Sequence, residues 1–137
     1  LATTLLDREI RVEAGVMTPD AAEALVASGL AERLERILSE PQEHDLEAAL
    51  ACVDAIESVL DGVAPDVPRL LHGHQGTTWD LLAEAARRGY EARIGLEDTI
   101  RMADDSRARD NADMVRAALT HYRAAELEAR PPGVPGR

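Results

Sequence analysis

The 137-residue chain contains no lysine and no phenylalanine, one cysteine, four serines, and aromatic residues amounting to only 2% of its composition. Each shortage removes a kind of chemistry. Without lysine there is neither a Schiff-base nucleophile nor a phosphate-loop lysine, and all fifteen basic side chains are arginines. The lone Cys52 closes no internal disulfide and belongs to no Cys-x-x-Cys pair for zinc or redox exchange. None of Ser28, Ser39, Ser58 and Ser106 sits in a Gly-x-Ser-x-Gly elbow, and Cys52 lies in a helical pattern with His44 eight residues away, so covalent nucleophilic catalysis has no support. No apolar run nears the roughly 20 residues that cross a bilayer, and a membrane partner is not expected. The N-terminus lacks the basic-then-apolar order of a signal peptide, which makes a cytoplasmic location the expectation. Positive charge is also short: 15 Lys plus Arg stand against 26 Asp plus Glu, and a net charge of −11 repels a polyphosphate backbone, so nucleic acid is not an expected partner.

What is present is enough apolar content, 45%, to build one globular core beside 30% charged residues. Thr18, Pro19 and Asp20 open a short helix that closes on Gly29. Leu46, Ala49, Leu50, Val53, Ile56 and Leu60 draw one apolar stripe that stops at Gly62, with Cys52 at its border. Thr77 and Asp80 resemble a capping box for a helix ending at Gly89, and Asp110 caps a last helix carrying Met114, Val115, Ala118, Leu119 and Tyr122 on one face. Between these lie four apolar runs that read as strands: Ile10 to Ala14, Leu34 to Ser39, Arg69 to Leu71, and Ala92 to Leu96.

Strand and helix alternate four times, and each strand leads to a polar residue: Glu13, Glu40, His72 and Glu97, at intervals of 27, 32 and 25 residues. Such alternation demands right-handed crossovers and a parallel sheet, and units near 30 residues are those of a (β/α)8 barrel of about 250 residues. The fold expected is therefore α/β, a partial (β/α)8 TIM barrel whose four parallel βα units form half of the whole. Residues 1–129 make that half and residues 130–137 a flexible tail rich in proline and glycine. An open, flavodoxin-like sheet fits the same count, but the glycine-rich first turn that usually holds its phosphate is missing. The first strand follows the first residue so closely that an upstream half is expected to be absent. An isolated half would expose apolar surface along its first and last strands and self-associate, so a homo-oligomer is expected.

Catalysis in such barrels sits at the C-terminal ends of the strands, where Glu13, Glu40, His72 and Glu97 are expected to converge as a metal or acid/base site. Alternatively, each merely caps a helix and meets solvent. At a two-residue period Arg93, Gly95 and Glu97 share one face of the last strand; they are either an intrastrand ion pair or a cation and a carboxylate around a ligand's close approach. His72-Gly73-His74 has a spacing that can place two imidazoles on one metal, although a solvated His74 in a glycine-shaped turn is the plainer reading. His44 and His121 read as surface residues, and Trp79 as packing.

Arg93-Ile94-Gly95-Leu96-Glu97-Asp98-Thr99 resembles the last-strand signature of the β-keto acid cleavage enzymes, whose founding activity cleaves 3-keto-5-aminohexanoate. Val12-Glu13-Ala14-Gly15, Glu40-Pro41, His72-Gly73 with Trp79, and Asp110-Asn111-Ala112 with Val115 agree in order and spacing, so the resemblance covers nearly the whole chain apart from its proline tail and matches the family's C-terminal half. It implies a metal-dependent (β/α)8 enzyme, usually with zinc, that condenses a small β-keto acid with acetyl-CoA as co-substrate to give acetoacetate and a new CoA thioester. It also implies that Glu97 ligates the metal, that Asp98 and Arg93 set up proton abstraction, and that Glu13 is an acid near the substrate. The family's two metal-binding histidines and a serine partner of the Asp/Arg pair come from the first half, so this segment alone is expected to bind zinc weakly. His74 and Gln75 stand where small residues or glycine are more usual, and Asp105 replaces a turn glycine. The alternative to an enzyme fragment is a truncated, non-catalytic half-barrel serving as a structural or assembly unit.

Overall fold

The computed structural model of the chain describes residues 1–130, so all but Arg130 of the tail expected over 130–137 lies outside the described residues. The elements in order are α1 (Ala2–Leu6), β1 (Glu13–Val16), α2 (Pro19–Ala27), a 3-10 turn (Ala31–Arg33), β2 (Arg36–Ser39), α3 (Leu46–Leu60), β3 (Arg69–Leu71), a second 3-10 turn (Gln75–Thr77), α4 (Thr78–Arg88), β4 (Glu91–Ala92) and α5 (Asn111–Ala129). Their boundaries are set locally. Thr18 Oγ1 accepts from Ala21 N at 3.2 Å, Asp45 Oδ1 from Ala48 N at 2.9 Å and Asp110 Oδ1 from Asp113 N at 2.7 Å, each satisfying an orphan N–H of a helix's first turn. Gly89 ends α4 in the left-handed region, at φ +71°. The expected box between Thr77 and Asp80 forms instead one turn earlier, because the Thr77 hydroxyl donates to His74 O at 3.1 Å and accepts from His74 N at 3.3 Å. No helix among the described residues is long and apolar enough to cross a membrane.

The four strands form one parallel sheet in the order β1-β2-β3-β4. An order that never reverses excludes the doubly wound, flavodoxin-like alternative, which needs a switch point within the sheet. Register aligns Val16, Ser39, Leu71 and Ala92 in one row. Residues of this row and of the Ile37–Arg69 row pack on the helices: Val16 and Ile37 against α2 and α3, Leu71 against α3 and α4, Ala92 against α4 and α5. All four helices that follow strands therefore cover one face. The other face carries Glu13 and Gly15, Arg36 and Leu38, Leu70, and Glu91, alternating with the helix-facing set. Leu38 and Leu70, 7% and 4% exposed, are register partners at the middle of that inner face.

Two strands differ from the sequence expectation. β1 starts at Glu13, where the run Ile10 to Ala14 would have ended it, because Val16 is the residue that enters the core between α2 and α3 while Ile10 stays exposed. Glu13 thus opens its strand. β4 is only Glu91–Ala92, since Asp98 N and Thr99 N both donate to Gly95 O and turn the chain out of the sheet. The two-residue period assumed for Arg93, Gly95 and Glu97 does not survive that turn. Exposed apolar side chains lie beside the first strand, at Ile10 and Met17, and beyond the last, at Leu96, Ile100, Val115 and Leu119.

One buried charge cluster pins the layers together. Arg69 of β3 points toward α3, where its Nε donates to Glu57 Oε2 at 2.8 Å and its two terminal nitrogens donate to Val67 O at 2.6 Å and Ala64 O at 3.0 Å. Ser39 Oγ of β2 donates to the other Glu57 oxygen at 3.0 Å.

Candidate functional site

Parallel pairing continues past the strands as Glu40 N donates to Val16 O at 2.9 Å and His72 N to Ser39 O at 3.3 Å. Alternation then places Glu40 and His72 on the inner face, one step beyond Leu38 and Leu70, at the C-terminal end of the sheet. The His72 ring is wholly buried, with Nε2 3.2 Å from Glu40 Oε1 and Nδ1 3.6 Å from Asp98 Oδ1. Nδ1 also lies 3.1 Å from Gly73 O, a carbonyl able to accept a proton carried there. Arg93 Nη2 donates to Asp98 Oδ1 at 3.2 Å, from a side chain 44% exposed to one only 3% exposed.

Backbone contacts lock the two loops that supply these groups. Gln75 N donates to Asp98 O at 2.8 Å, joining the loop after β3 to the turn after β4. Gly73 permits the tight turn that Thr77 closes within the first of these loops, since a Cβ there would lie 2.6 Å from Thr77 O and 2.8 Å from its carbonyl carbon. Gln75 holds φ +51° and Asp105 φ +65°, left-handed conformations that favour glycine, which is the physical content of the two departures noted in the sequence. Despite these contacts, His72 Nε2 and Asp98 Oδ2 are buried without a hydrogen-bond partner; the approach of Glu40 to Nε2 is close but misaligned.

The other residues singled out from the sequence lie elsewhere. Glu97 is exposed, and its carboxylate rests over Gly95, where a Cβ would strike it; what approaches that glycine is the chain's own side chain. Arg93 consequently pairs with Asp98, not with Glu97. Glu97 lines a cavity of about 660 Å³ between the loops after β3 and β4, together with His74, Trp79, Asp98, Arg101 and His121. Trp79 donates from Nε1 to Arg101 O at 2.8 Å and meets the His121 ring edge-on at 5.8 Å, so it packs as expected while His121 is half-buried. His72 and His74 diverge, the first toward the inner face and the second into this cavity, and they do not form a metal pair. Among the described residues no group of three or more His, Cys, Asp and Glu is arranged to hold a metal ion.

Glu13 is the clearest correction. It lies at the N-terminal end of the sheet, away from His72 and Asp98, where Arg36 binds Glu13 on the adjacent β1 and, beyond β3, Glu91 on β4. The hydrogen bonds that Arg36 donates to Glu91 and then to Glu13 raise its pKa above the ordinary value. A strand's frame shifted by three residues carried Glu13 to the opposite pole. Sequence reading placed Glu40 and His72 at strand ends but missed that His72 lies between Glu40 and Asp98, which no local pattern announces.

A family model described as beta-keto acid cleavage enzyme matches residues 40–132. The matched span opens on Glu40 and includes His72, Arg93, Glu97 and Asp98, leaving Glu13 outside it. No curated protein matches the chain.

Proposed function

The chain belongs to the beta-keto acid cleavage enzyme family, and from that premise we propose that residues 1–129 form four of the eight βα units of a (β/α)8 barrel that exchanges acyl groups between a β-keto acid and acetyl-CoA. The carrying observation is the pairing of Arg93 with a buried Asp98 at the C-terminal end of a singly wound parallel sheet. In a β-keto acid the C2 protons are acidified by the keto group and carboxylate on either side. Asp98 takes one of them, and the C2 electron pair attacks the acetyl thioester carbonyl, releasing the CoA thiolate. The thiolate attacks the original keto carbonyl. Cleavage of that carbonyl's bond to C2 leaves a new CoA thioester and the acetoacetate enolate, to which Asp98 returns the proton. Arg93 orients Asp98 and presents its half-exposed cation toward the substrate carboxylate.

The family resemblance implies a divalent metal, with zinc the usual one. The described residues do not by themselves fit that ion, because Glu97 stands apart from His72 and Glu40 and lacks two further side-chain ligands beside it. In this proposal Glu97 supplies one carboxylate oxygen and the remaining ligands come from the barrel's other half. That half also covers the groove of about 540 Å³ lined by Ala92, Ile94, Val115, Leu119 and Tyr122 beside β4. Glu13, committed to Arg36, has no part in the chemistry.

The test joins this chain to its upstream half and follows condensation of labelled acetyl-CoA with β-keto acids. Asp98→Asn is expected to lower turnover by about 10²–10⁴-fold with metal content retained. Glu97→Gln is expected to lose metal and turnover together. Full turnover in Asp98→Asn, or a joined protein without condensation activity, overturns the proposal in favour of a non-catalytic half-barrel.

A further inference from the structure

Asp110 and Asn111 set two residues of capping type side by side, and the structure gives them different tasks. Asp110 caps α5 through Asp113 N, so the Asn111 side chain, at the first helical position, is not needed by its own helix. Its Oδ1 instead accepts from Leu96 N at 2.8 Å, 15 residues back along the chain. Leu96 opens the turn in which Asp98 N and Thr99 N both donate to Gly95 O, and the N–H groups at the start of such a turn find no acceptor within it. The far end of the same turn is held by Gln75 N on Asp98 O. Leu96 and Glu97 are both exposed, so burial does little to fix the start of the turn. The helix that supplies Asn111 is fixed, since Met114 is wholly buried in a cluster with Trp79 and Leu82 of α4.

Resting on the reading of Asp98 as base, we infer that Asn111 is a positioning residue: its side-chain carbonyl ties the turn after β4 to α5 and so sets where the Asp98 carboxylate stands against Arg93. With Gln75 at one end and Asn111 at the other, the turn is fixed on two separate elements, the loop after β3 and α5. With either contact removed it pivots about the one that remains. Arg93 Nη2 reaches Asp98 Oδ1 at 3.2 Å, a contact that a small displacement of the turn breaks. Placement on that scale decides proton transfer, because the base must come within hydrogen-bond reach of the proton it takes. Asn111 is exposed, so its variants loosen the turn without opening the core.

In the protein carrying both halves, Asn111→Ala is expected to lower kcat by about 10-fold with KM within about twofold. Asn111→Asp, which keeps an oxygen acceptor in the same place, is expected to restore kcat to within about twofold of the parent. In an Asp98→Asn background the same Asn111→Ala change is expected to alter kcat by less than about twofold, since a residue acting through Asp98 then has no base to position, whereas a merely structural role lowers both backgrounds alike. An unchanged kcat in Asn111→Ala, no recovery in Asn111→Asp, or an equal loss in both backgrounds overturns the inference and leaves the base assignment standing. If Asp98→Asn itself retains full turnover, the reading beneath has failed and this inference falls with it. Asn111→Leu, which fills a similar volume without an acceptor, keeps the test open should Asn111→Ala not fold.

Discussion

The sheet carries two clusters of buried charge, one on each face, and they are built to opposite rules. On the helix-facing side Glu57, Arg69 and Ser39 use both Glu57 oxygens and all three Arg69 nitrogens within 3.0 Å. On the inner side Glu40, His72, Asp98 and Arg93 approach one another at 3.2–3.6 Å, and His72 Nε2 and Asp98 Oδ2 have no hydrogen-bond partner. Desolvating a polar group without replacing its water hydrogen bonds is costly, so the first arrangement serves stability and the second withholds it. Complete satisfaction on one face thus stands beside incomplete satisfaction at the C-terminal end of the other.

Substitutions should separate the two clusters. Arg69→Met strands the Glu57 carboxylate in the core and is expected to cost about 3–5 kcal/mol in urea unfolding, while adding Glu57→Leu recovers most of the loss by removing the orphaned charge. A small loss in the single variant would erase the contrast. Asp98→Asn, by comparison, gives up one pair with a half-exposed arginine and an oxygen that had no donor, so its stability should stay within about 1 kcal/mol of the parent. A larger fall would make Asp98 structural.

Gln75 sharpens the comparison from the side of strain. Held at φ +51° while its N–H binds Asp98 O, it bears a steric cost that glycine does not. Gln75→Gly is expected to raise stability by about 0.5 kcal/mol after the greater unfolded-state freedom of glycine is deducted. Asp105→Gly should gain less, since aspartate tolerates the left-handed region.

The smallest effect is expected far from both clusters, on exposed charge. Hydrogen bonding from Arg109, reinforced by Arg116, lowers Asp113 to about 2. Its folded pKa lies below the unfolded value of about 3.9, so its contribution is present above that value and lost as pH falls through about 2. Nuclear magnetic resonance titration should show this acid limb in the parent, shrinking in salt and absent in Asp113→Asn.

Local chemistry made much of the chain legible without coordinates. Thr18 and Asp110 start helices and Gly89 ends one because capping is decided within four residues. Alternating periods of apolar residues specified the α/β class, and the strand-end places of Glu40 and His72 followed from where apolar runs give way to polar residues. The family resemblance read from Arg93 to Thr99 lies inside the matched span.

Only the tertiary structure decided the rest, because a strand's frame is chosen by its neighbours. Val16 aligns with Ser39 and packs under α2 and α3, and that choice sends Glu13 to the Arg36 pole. The turn closed on Gly95 O brings Asp98, and not Glu97, to Arg93. Glu57 and Arg69 lie 12 residues apart with no local pattern to announce them. Two-residue periodicity assigns a face only after register is known, and register is a long-range property set by which side chains the helices bury.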